Sequence, residues 1–114
     1  MKKYKVSLLP DAIRDLEDIY LYISEQSGFP ERAWAYIEKL RKKCSDLEIA
    51  PFRGQQRNDL MENLRIVPID KKAIIAFMID EELHAVTILN IFYGGRDYET
   101  IMSGFKSPSD ESSK

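Results

Sequence analysis

Three β-rich segments follow one another in the second half of the chain, with very short breaks between them. They are LRIVPI (64–69), KKAIIAFMID (71–80) and LHAVTILNIF (83–92), separated by Asp70 and by the pair Glu81-Glu82. Strands arranged in this way are predicted to pair as an antiparallel meander. The middle segment is almost continuously apolar, and the last is similar, which is expected of strands buried on both faces.

The first half of the chain shows helical periodicity after one short strand, KYKVSLL (3–9). A first helix is predicted from Pro10, which suits the first helical position, to a stop at SGFP (27–30). A second helix ends at Ala50-Pro51. The apolar residues at helical spacing are Ala12, Leu16, Ile19 and Ile23 in the first helix, and Ala33, Ile37, Leu40, Cys44 and Leu47 in the second. The two helices are therefore predicted to form an antiparallel hairpin whose apolar stripes face a core.

The predicted order is β-α-α-β-β-β, an α+β fold with a helical hairpin packed on one face of a small, mainly antiparallel sheet. The first strand must join an edge of the sheet or pair with the last strand. Residues 52–63 have no clear period and are predicted to be a loop, and residues 97–105 are predicted to form a short helix. A single domain would then span residues 1–105, and the polar residues 106–114 are predicted to be a disordered tail.

Composition narrows the classes of function. The 114 residues carry 17 lysines and arginines against 19 acids, a net charge of −2. A protein whose main partner is nucleic acid usually has a basic face and often a pI above about 9, whereas the pI here is about 5.5. No apolar run is long enough to span a membrane and no signal peptide is present, so a cytoplasmic protein is expected.

Cysteine and histidine usage is equally limiting. A single cysteine, Cys44, cannot form an internal disulfide, and one cysteine with one histidine cannot make a Cys/His zinc site. We therefore predict neither a metal nor a cofactor. Cys44 lies in the apolar stripe of the second helix and is interpreted as a small buried residue rather than a nucleophile.

The end of the last strand carries a possible functional group. Gly94-Gly95 is predicted to turn the chain, and Asp97 is predicted to cap a short helix with Tyr98 and Thr100 at its first and third positions. Arg96 is then left projecting from the strand end, where binding residues are often found. The structural alternative is an exposed salt bridge from Arg96 to Asp97 or Glu99.

Taken together, these segments resemble the RelE/ParE superfamily of toxins from bacterial type II toxin–antitoxin systems. The motifs are A-x-x-D-L-x-x-I in the first helix, P-x-x-G in the central loop, L-R at residues 64–65, and I-L-x-I-x-x-G-x-R-D at residues 88–97. The resemblance covers about residues 3–98. It implies a cognate antitoxin whose C-terminal segment wraps the helical hairpin and the sheet, and it implies contact with DNA only through that antitoxin.

The two branches of the superfamily imply different targets. RelE-like members are ribosome-dependent, metal-independent endonucleases of messenger RNA, which need several cations and a C-terminal tyrosine or histidine around one phosphate. ParE-like members inhibit DNA gyrase through a binding surface. Arg65 and Arg96 match two of the cationic positions, but the third-strand position falls on Ala73 and the tyrosine position falls near Met102.

Other residues do not complete the nuclease set. Tyr93 and Tyr98 are near in sequence but out of register, and His84 lies at the opposite end of the last strand from Arg96. The G-x-R-D ending resembles the ParE branch, although Tyr93 stands where that branch often has histidine. We therefore predict a ParE-like gyrase inhibitor; an RNA endonuclease of the RelE type is the alternative, and a relic that only stabilises its antitoxin complex or a plasmid is a third possibility.

The candidate residues follow from this interpretation. Candidates for target binding are Arg96, Arg65, Arg57, Arg53 and Tyr93, and candidates for antitoxin binding are Trp34, Tyr36 and Tyr20. Arg65 is expected to share the concave face with Arg96, or else to be simply solvated within its strand. Arg53 and Arg57 lie in the central loop, where solvation is the structural alternative. Trp34 and Tyr36 fall off the apolar stripe, so they either pack on a loop or face a partner.

Overall fold

The computed structural model describes residues 3–103. Its elements are β1 (Lys5–Leu8), α1 (Pro10–Ser27), α2 (Pro30–Ser45), a 3₁₀ turn (Asp46–Glu48), β2 (Gln55–Gln56), β3 (Arg65–Ile69), β4 (Ala73–Asp80), β5 (Ala85–Tyr93) and α3 (Tyr98–Ser103). The predicted α+β order and the antiparallel meander are confirmed. The proposed tail, residues 106–114, lies outside the described residues.

The sheet has the strand order β1-β5-β4-β3-β2. Strands β2, β3, β4 and β5 pair antiparallel with their neighbours, and β1 pairs parallel with β5 from Lys5 opposite Ala85 to Leu8 opposite Ile88. The first strand therefore lies at an edge and pairs with the last strand, which are the two places that the sequence allowed. Because β1 is short, β5 continues well beyond it, and no other strand within residues 3–103 pairs with β5 on that side.

The strand β2 lies inside the segment predicted to be a loop. Gln55 and Gln56 are both exposed and pair with Ile66 and Arg65 through the backbone alone, so no apolar pattern marks them. Gly54, with φ of 88°, precedes this strand, and a Cβ atom there would lie 2.3 Å from the carbonyl oxygen of Ile66. Only glycine allows so close an approach of the two backbones.

The tight turns shift the strand boundaries by one or two residues. Asp70 and Lys71 have φ values of 53° and 60°, and the Lys72 N–H donates to the Ile69 carbonyl over 2.9 Å. Positive φ at both central residues is the geometry of a type I′ hairpin turn, which here is built without glycine. The strand β4 therefore begins at Ala73 rather than Lys71.

The two faces of the sheet have separate cores. The hairpin-side core lies between the sheet and helices α1 and α2 and contains Ala12, Leu16, Ile19, Ile37, Leu40, Cys44, Leu47, Ile69, Ala73, Ile75, Phe77, Val86, Ile88 and Ile91. The α3-side core lies on the other face and contains Leu64, Ile66, Ala76, Phe92 and Met102. Alternate residues of β4 enter the two cores, which explains the continuous apolar pattern of that strand.

Candidate functional site

The chain leaves β5 through a rigid double-glycine turn. Gly94 and Gly95 have φ values of 75° and 77°, which non-glycine residues rarely adopt. The Gly94 N–H donates to the Lys72 carbonyl over 2.9 Å, so this turn is tied to the β3–β4 turn. The position from which Arg96 emerges is therefore determined by two connected turns.

Arg96 is exposed, and its guanidinium carbon lies 5.6 Å from the centre of the Phe92 ring. Phe92 belongs to the α3-side core, so the arginine leans toward that face of the sheet. Within residues 3–103, no carboxylate oxygen lies within salt-bridge distance of Arg96. The salt bridge to Asp97 or Glu99 that the sequence allowed is not formed.

Asp97 is committed to the start of α3, as predicted. Its side chain accepts hydrogen bonds from the Thr100 N–H over 3.2 Å and from the Thr100 hydroxyl over 2.6 Å. The hydrogen bond from the Thr100 side chain is the main reason that the pKa of Asp97 lies below its usual range. This cap holds the helix in place without using Arg96.

Arg57 is not a solvated loop residue, because its guanidinium is engaged on several sides. It donates to Asp59 over 3.0 Å and 2.8 Å, to the Tyr98 hydroxyl over 2.9 Å and to Glu99 over 2.9 Å. Its side chain is 14% exposed. The hydrogen bond from Arg57 also lowers the pKa of Asp59. We call this set of four residues the Arg57 clasp; it joins the central loop to α3.

Arg65 lies on the other face of the sheet from Arg96. It pairs across the strands with Phe77 and precedes Ile69 by four residues, and both of these belong to the hairpin-side core. Its guanidinium donates to the Phe52 carbonyl over 2.7 Å and lies 5.7 Å from the Phe52 ring centre. The expectation that Arg65 and Arg96 share a face is wrong, because the alternation of side chains along β3 turns Arg65 toward the helices.

Arg53 differs from Arg57 although both lie in the same loop. It is exposed, and its side chain makes no hydrogen bond or salt bridge within the part of the chain that the structure describes. The structure thus separates the four predicted arginines: Arg96 and Arg53 form no salt bridge with any residue from 3 to 103, whereas Arg57 and Arg65 hold loops in place. The roles of all four in target binding stay predictions.

Three tyrosines gather where α1 and α2 meet the end of β5. The ring of Tyr93 lies 5.3 Å from the ring of Tyr36 and 6.0 Å from that of Tyr22, measured between centres. Burial, followed by the proximity of Tyr93 and Asp70, raises the pKa of Tyr36 to about 12. Tyr36 thus packs against Tyr93 within the molecule, and Tyr20 also packs on the hairpin-side core.

The hairpin nevertheless exposes large apolar side chains. Trp34, one of the predicted antitoxin contacts, is 57% exposed. Sequence reasoning missed its companions on the two helices and their connection, which are Ile13, Leu21, Tyr22 and Phe29, each about half exposed. In the sequence, the helical members of this set can be recognised as apolar residues that lie outside the main apolar stripe of their helix.

Asp15 has a role that the sequence analysis did not find. Its carboxylate on α1 accepts hydrogen bonds from the backbone N–H of Ile91 over 2.9 Å and from the side chain of Asn90 over 3.1 Å. The register of β4 and β5 shifts here, since Ala76 pairs with Asn90 but Phe77 pairs with Ile88. Leu89 is therefore an extra residue in β5, a β-bulge. The Asp15 carboxylate provides the hydrogen-bond acceptor for the Ile91 N–H in the part of β5 that does not pair with β1.

Arg96 also borders a groove beside Asp15. The groove has a volume of about 410 Å³ and lies between α1 and the uncovered part of β5. Its lining includes Asp15, Asp18, Tyr22, Tyr93, Gly94 and Arg96. The strand end therefore separates an acidic, aromatic groove on the hairpin side from the α3 side, toward which Arg96 leans.

Comparisons with known proteins agree with this architecture. Residues 6–98 match the family model described as ParE toxin of type II toxin–antitoxin system, parDE. The chain belongs to the ParE toxin family. Comparison with curated protein sequences gives no match.

Solved structures of related toxins share the fold. The chromosomal ParDE toxin–antitoxin system from P. aeruginosa aligns with a TM-score of 0.69 and 18% identity, covering 80% of this chain and 96% of that one. The RelBE2 toxin–antitoxin complex of Mycobacterium tuberculosis aligns with a TM-score of 0.60 and 20% identity, covering 82% of this chain and 94% of that one. An arginine-to-alanine double mutant of the E. coli toxin RelE, in the free state, aligns with a TM-score of 0.63 and 10% identity. The alignment covers 90% of this chain and 95% of that one.

Ala73 and Met102, which stand at or near the positions that the resemblance implies for a RelE-type cation and tyrosine, both lie in the core. Ala73 is 3% exposed in the hairpin-side core, and Met102 is fully buried in the α3-side core. His84 immediately precedes β5 and lies 5.1 Å from the Tyr4 ring, at the opposite end of the strand from Arg96, as predicted. Within residues 3–103, no cluster of three metal-ligating side chains occurs, and no helix is long and apolar enough to cross a membrane.

Proposed function

We propose that this ParE-family toxin inhibits DNA gyrase by protein–protein binding and that a cognate antitoxin neutralises it. The observation that carries the proposal is the burial of Ala73 and Met102, at or near the positions where the resemblance implies the cation and the general acid–base group of a RelE-type nuclease. Without them, the exposed Arg96 guanidinium lacks the general acid–base partner that phosphoryl transfer needs, and this suits recognition of a partner protein better. The site of action would be the cytoplasm, where gyrase and its DNA are found.

The exposed strand end supports a binding role. A guanidinium can form paired hydrogen bonds with a carboxylate, and its geometry is useful only when the group is well positioned. Two connected turns position Arg96, and no carboxylate within residues 3–103 competes for it. We expect Arg96 to be the main contact with the target, with Arg53 and Tyr93 as further candidates.

The helical hairpin supports the proposed antitoxin partner. Trp34, Leu21, Ile13 and Phe29 are each 49–57% exposed, and exposed apolar side chains of this size are often covered by a partner. The related structures named ParDE and RelBE2 are toxin–antitoxin systems. We expect the antitoxin to cover Trp34, and to do so without needing Arg96.

The proposal is tested by following both possible targets in one experiment. The chain is induced in bacterial cells, plasmid supercoiling and transcript integrity are measured over the same period, and the purified protein is added to a gyrase supercoiling assay. We expect loss of supercoiling with intact bulk transcripts, and relief of toxicity when a cognate antitoxin is co-expressed. Rapid, codon-linked cleavage of messenger RNA with unaffected gyrase would establish the ribonuclease instead.

A further inference from the structure

A small basic notch lies on the α3 side of the sheet, between the β3–β4 turn and the Gly94-Gly95 turn. Its volume is about 120 Å³, and its lining includes Pro68, Lys71, Lys72, Ile74, Phe92 and Arg96. Phe92 and Ile74 supply an apolar floor from the α3-side core. The two lysines and Arg96 supply a cationic rim, so the notch has positive charge at its edge and an apolar surface at its base.

The backbone holds the rim in place. Lys71 sits in the type I′ turn with φ of 60°, and Lys72 closes that turn by donating its N–H to Ile69. The Lys72 carbonyl in turn accepts the Gly94 N–H over 2.9 Å. The three cations therefore come from two hydrogen-bonded turns, and their backbones do not need to be ordered when a ligand binds.

The cations of the notch are not held in ion pairs within the described part of the chain. No salt bridge involves Lys71, Lys72 or Arg96 within the described residues 3–103. Asp70, the acid in the adjoining turn, is bound by Lys39 of α2, which lowers the pKa of Asp70, and Asp97 is committed to Thr100. The notch is therefore a cluster of three cations, none of them in a salt bridge within residues 3–103, in a protein with a net charge of −2.

The surroundings limit how large an anion can bind. On one side of Arg96 lies the groove that contains Asp15 and Asp18, and on the other side lie Asp97, which precedes α3, and Glu99 in the first turn of that helix. A nucleic-acid backbone leaving the notch would meet these carboxylates, and repulsion would oppose its binding. A single anionic group between neutral or apolar neighbours would meet only the cations and the apolar floor.

We propose that the notch formed by Lys71, Lys72 and Arg96 binds one aspartate or glutamate side chain of a partner protein, with an adjacent apolar side chain on Phe92 and Ile74. The carboxylate accepts charge-assisted hydrogen bonds from the rim. This inference deepens the proposed function, because it names the chemistry of the target surface that Arg96 meets. It predicts an acidic residue flanked by an apolar one at the toxin-binding surface of the target.

A peptide titration tests the notch without reference to gyrase. The purified chain is titrated, with backbone amide chemical shifts as the readout, with the blocked tripeptide acetyl-Phe-Glu-Leu-amide and with its Gln counterpart. We expect the Glu peptide to shift the amides of residues 71–73 and 94–97, and the Gln peptide to bind at least about tenfold more weakly. Absence of shifts at these amides, or equal binding of the two peptides, would overturn the inference.

A pair of variants separates the notch from general charge. Lys71→Gln/Lys72→Gln removes two rim cations, and Lys3→Gln/Lys5→Gln removes two exposed lysines at or beside β1, which pairs with the start of β5, away from the end that carries Arg96. We expect only the first variant to lose the shifts produced by the Glu peptide. If both variants lose them equally, net charge rather than the notch is responsible and the assignment fails.

Phosphate ligands test the alternative that the notch is a phosphate-binding site. Inorganic phosphate and the single-stranded octamer of thymidylate are titrated against the same amides. Weaker binding of both than of the Glu peptide supports the carboxylate assignment. Tighter binding of either would overturn it in favour of a phosphate-binding site.

The gyrase assay then distinguishes this inference from the proposed function. If the wild-type chain inhibits gyrase and the Lys71→Gln/Lys72→Gln variant loses at least about tenfold in potency, the notch is part of the target contact. Full potency of the variant would overturn the notch as that contact and leave gyrase inhibition standing. If the wild-type chain does not inhibit gyrase, the proposed function fails, and the peptide titration alone decides whether the notch binds a carboxylate.

Discussion

The two faces of the sheet are covered in physically different ways. Two helices of 18 and 16 residues cover the hairpin side, where fourteen buried apolar residues form one continuous core. A helix of six residues covers the α3 side, where five buried residues form the core and the polar Arg57 clasp attaches the helix. Burial of apolar area dominates stability, so the hairpin side should stabilise the fold far more than the α3 side.

The hairpin side is thus expected to carry most of the stability, whereas the residues proposed to bind the target lie on or beside the α3 side. The Arg57 clasp, the Asp97 cap and the basic notch all lie on or beside the lightly covered face. Elements with few buried contacts open most readily, so this face can adjust to a partner while the hairpin side stays folded. Five predictions test this division, in order of decreasing effect on stability.

The largest effect is expected for Ile37→Asp on the hairpin side. Ile37 is 4% exposed in the middle of the α2 stripe, and an aspartate there would place an unpaired charge in the core. We expect a loss above about 3 kcal/mol, a large share of a typical stability of about 5–15 kcal/mol. Thermal or urea unfolding measures it, and an unchanged, cooperative transition would show that this face is not the main core.

A matched pair of truncations compares the two cores directly. Leu40 and Met102 are both fully buried, one under α2 and the other in α3. Leu40→Ala should cost about 2–5 kcal/mol, whereas Met102→Ala should lie near or below the lower end of that range because a six-residue helix can settle into the space. Urea unfolding of both variants is the measurement, and a larger loss at Met102 would contradict the proposed division.

A smaller effect is expected at the junction between the faces. Asp15→Ala leaves the Ile91 N–H without a partner beside the irregular part of β5, which should cost about 1–3 kcal/mol. Asp15→Asn keeps an acceptor and should cost less. Asp18→Ala is the control, because Asp18 is exposed three residues away and makes no hydrogen bond within residues 3–103; its change should stay within about 0.5 kcal/mol.

The parts of this molecule that could be predicted from sequence are those that rest on local periodicity. The stripes of both helices, apart from the buried Ala33, enter the hairpin-side core or pack against it, and the three β-rich segments pair as expected. Each of these features is encoded by residues within one element, because burial repeats every 3.6 or 2 positions.

The parts that could not be predicted depend on contacts between distant residues. Arg57 meets Tyr98 across 41 positions and Asp15 meets Ile91 across 76, and no local pattern announces either pair. The strand β2 was missed for a related reason, since Gln55 and Gln56 are recruited by backbone pairing alone. The face occupied by Arg65 was also misjudged, although the alternation from Ile69 predicts it once the strand register is known.

A further prediction uses acid to weaken the α3 side selectively. The pKa of Asp59 is lower in the folded chain than in the unfolded chain because Arg57 donates hydrogen bonds to it. Its contribution to stability is therefore complete above the ordinary aspartate pKa, near 4, and is lost as the pH falls through the lower folded value. The protection of the α3 amides from hydrogen exchange, relative to the intrinsic exchange rate at each pH, should fall below about pH 4, before the protection of the α2 amides does.

The matched control for this prediction lies in the same loop. Arg57→Gln should accelerate exchange in α3 at neutral pH and reduce its further change in acid, although the lowered pKa of Asp97 leaves some pH dependence. Arg53→Gln should behave like the wild type, since Arg53 is exposed and its side chain makes no polar contact within residues 3–103. Equal effects of the two variants would show that the clasp does not hold α3.

The smallest effect on stability, with the largest effect on function, is expected for Arg96→Ala. The contact that Arg96 makes with Phe92 is an exposed cation–π contact, worth about 0.5–1 kcal/mol, and Asp97 keeps its cap without it. The variant should therefore melt within a few degrees of the wild type and still bind antitoxin. Loss of a buried arginine anchor in a complex typically costs at least about 2 kcal/mol, so inhibition of gyrase should fall more than tenfold.

Arg32 provides the matched control, because it makes the same kind of cation–π contact but lies on the hairpin side, away from the strand end that carries Arg96. Its guanidinium carbon lies 5.1 Å from the Phe29 ring centre at the connection between α1 and α2, on the hairpin side. Arg32→Ala should therefore lose similarly little stability and keep full potency against gyrase. If Arg96→Ala is also fully potent, the active surface does not include this strand end, and Arg65 and Arg53 become the arginines to test. If both variants lose potency, the target contacts the two faces together, and the separation of stability from function that the sheet suggests is incorrect.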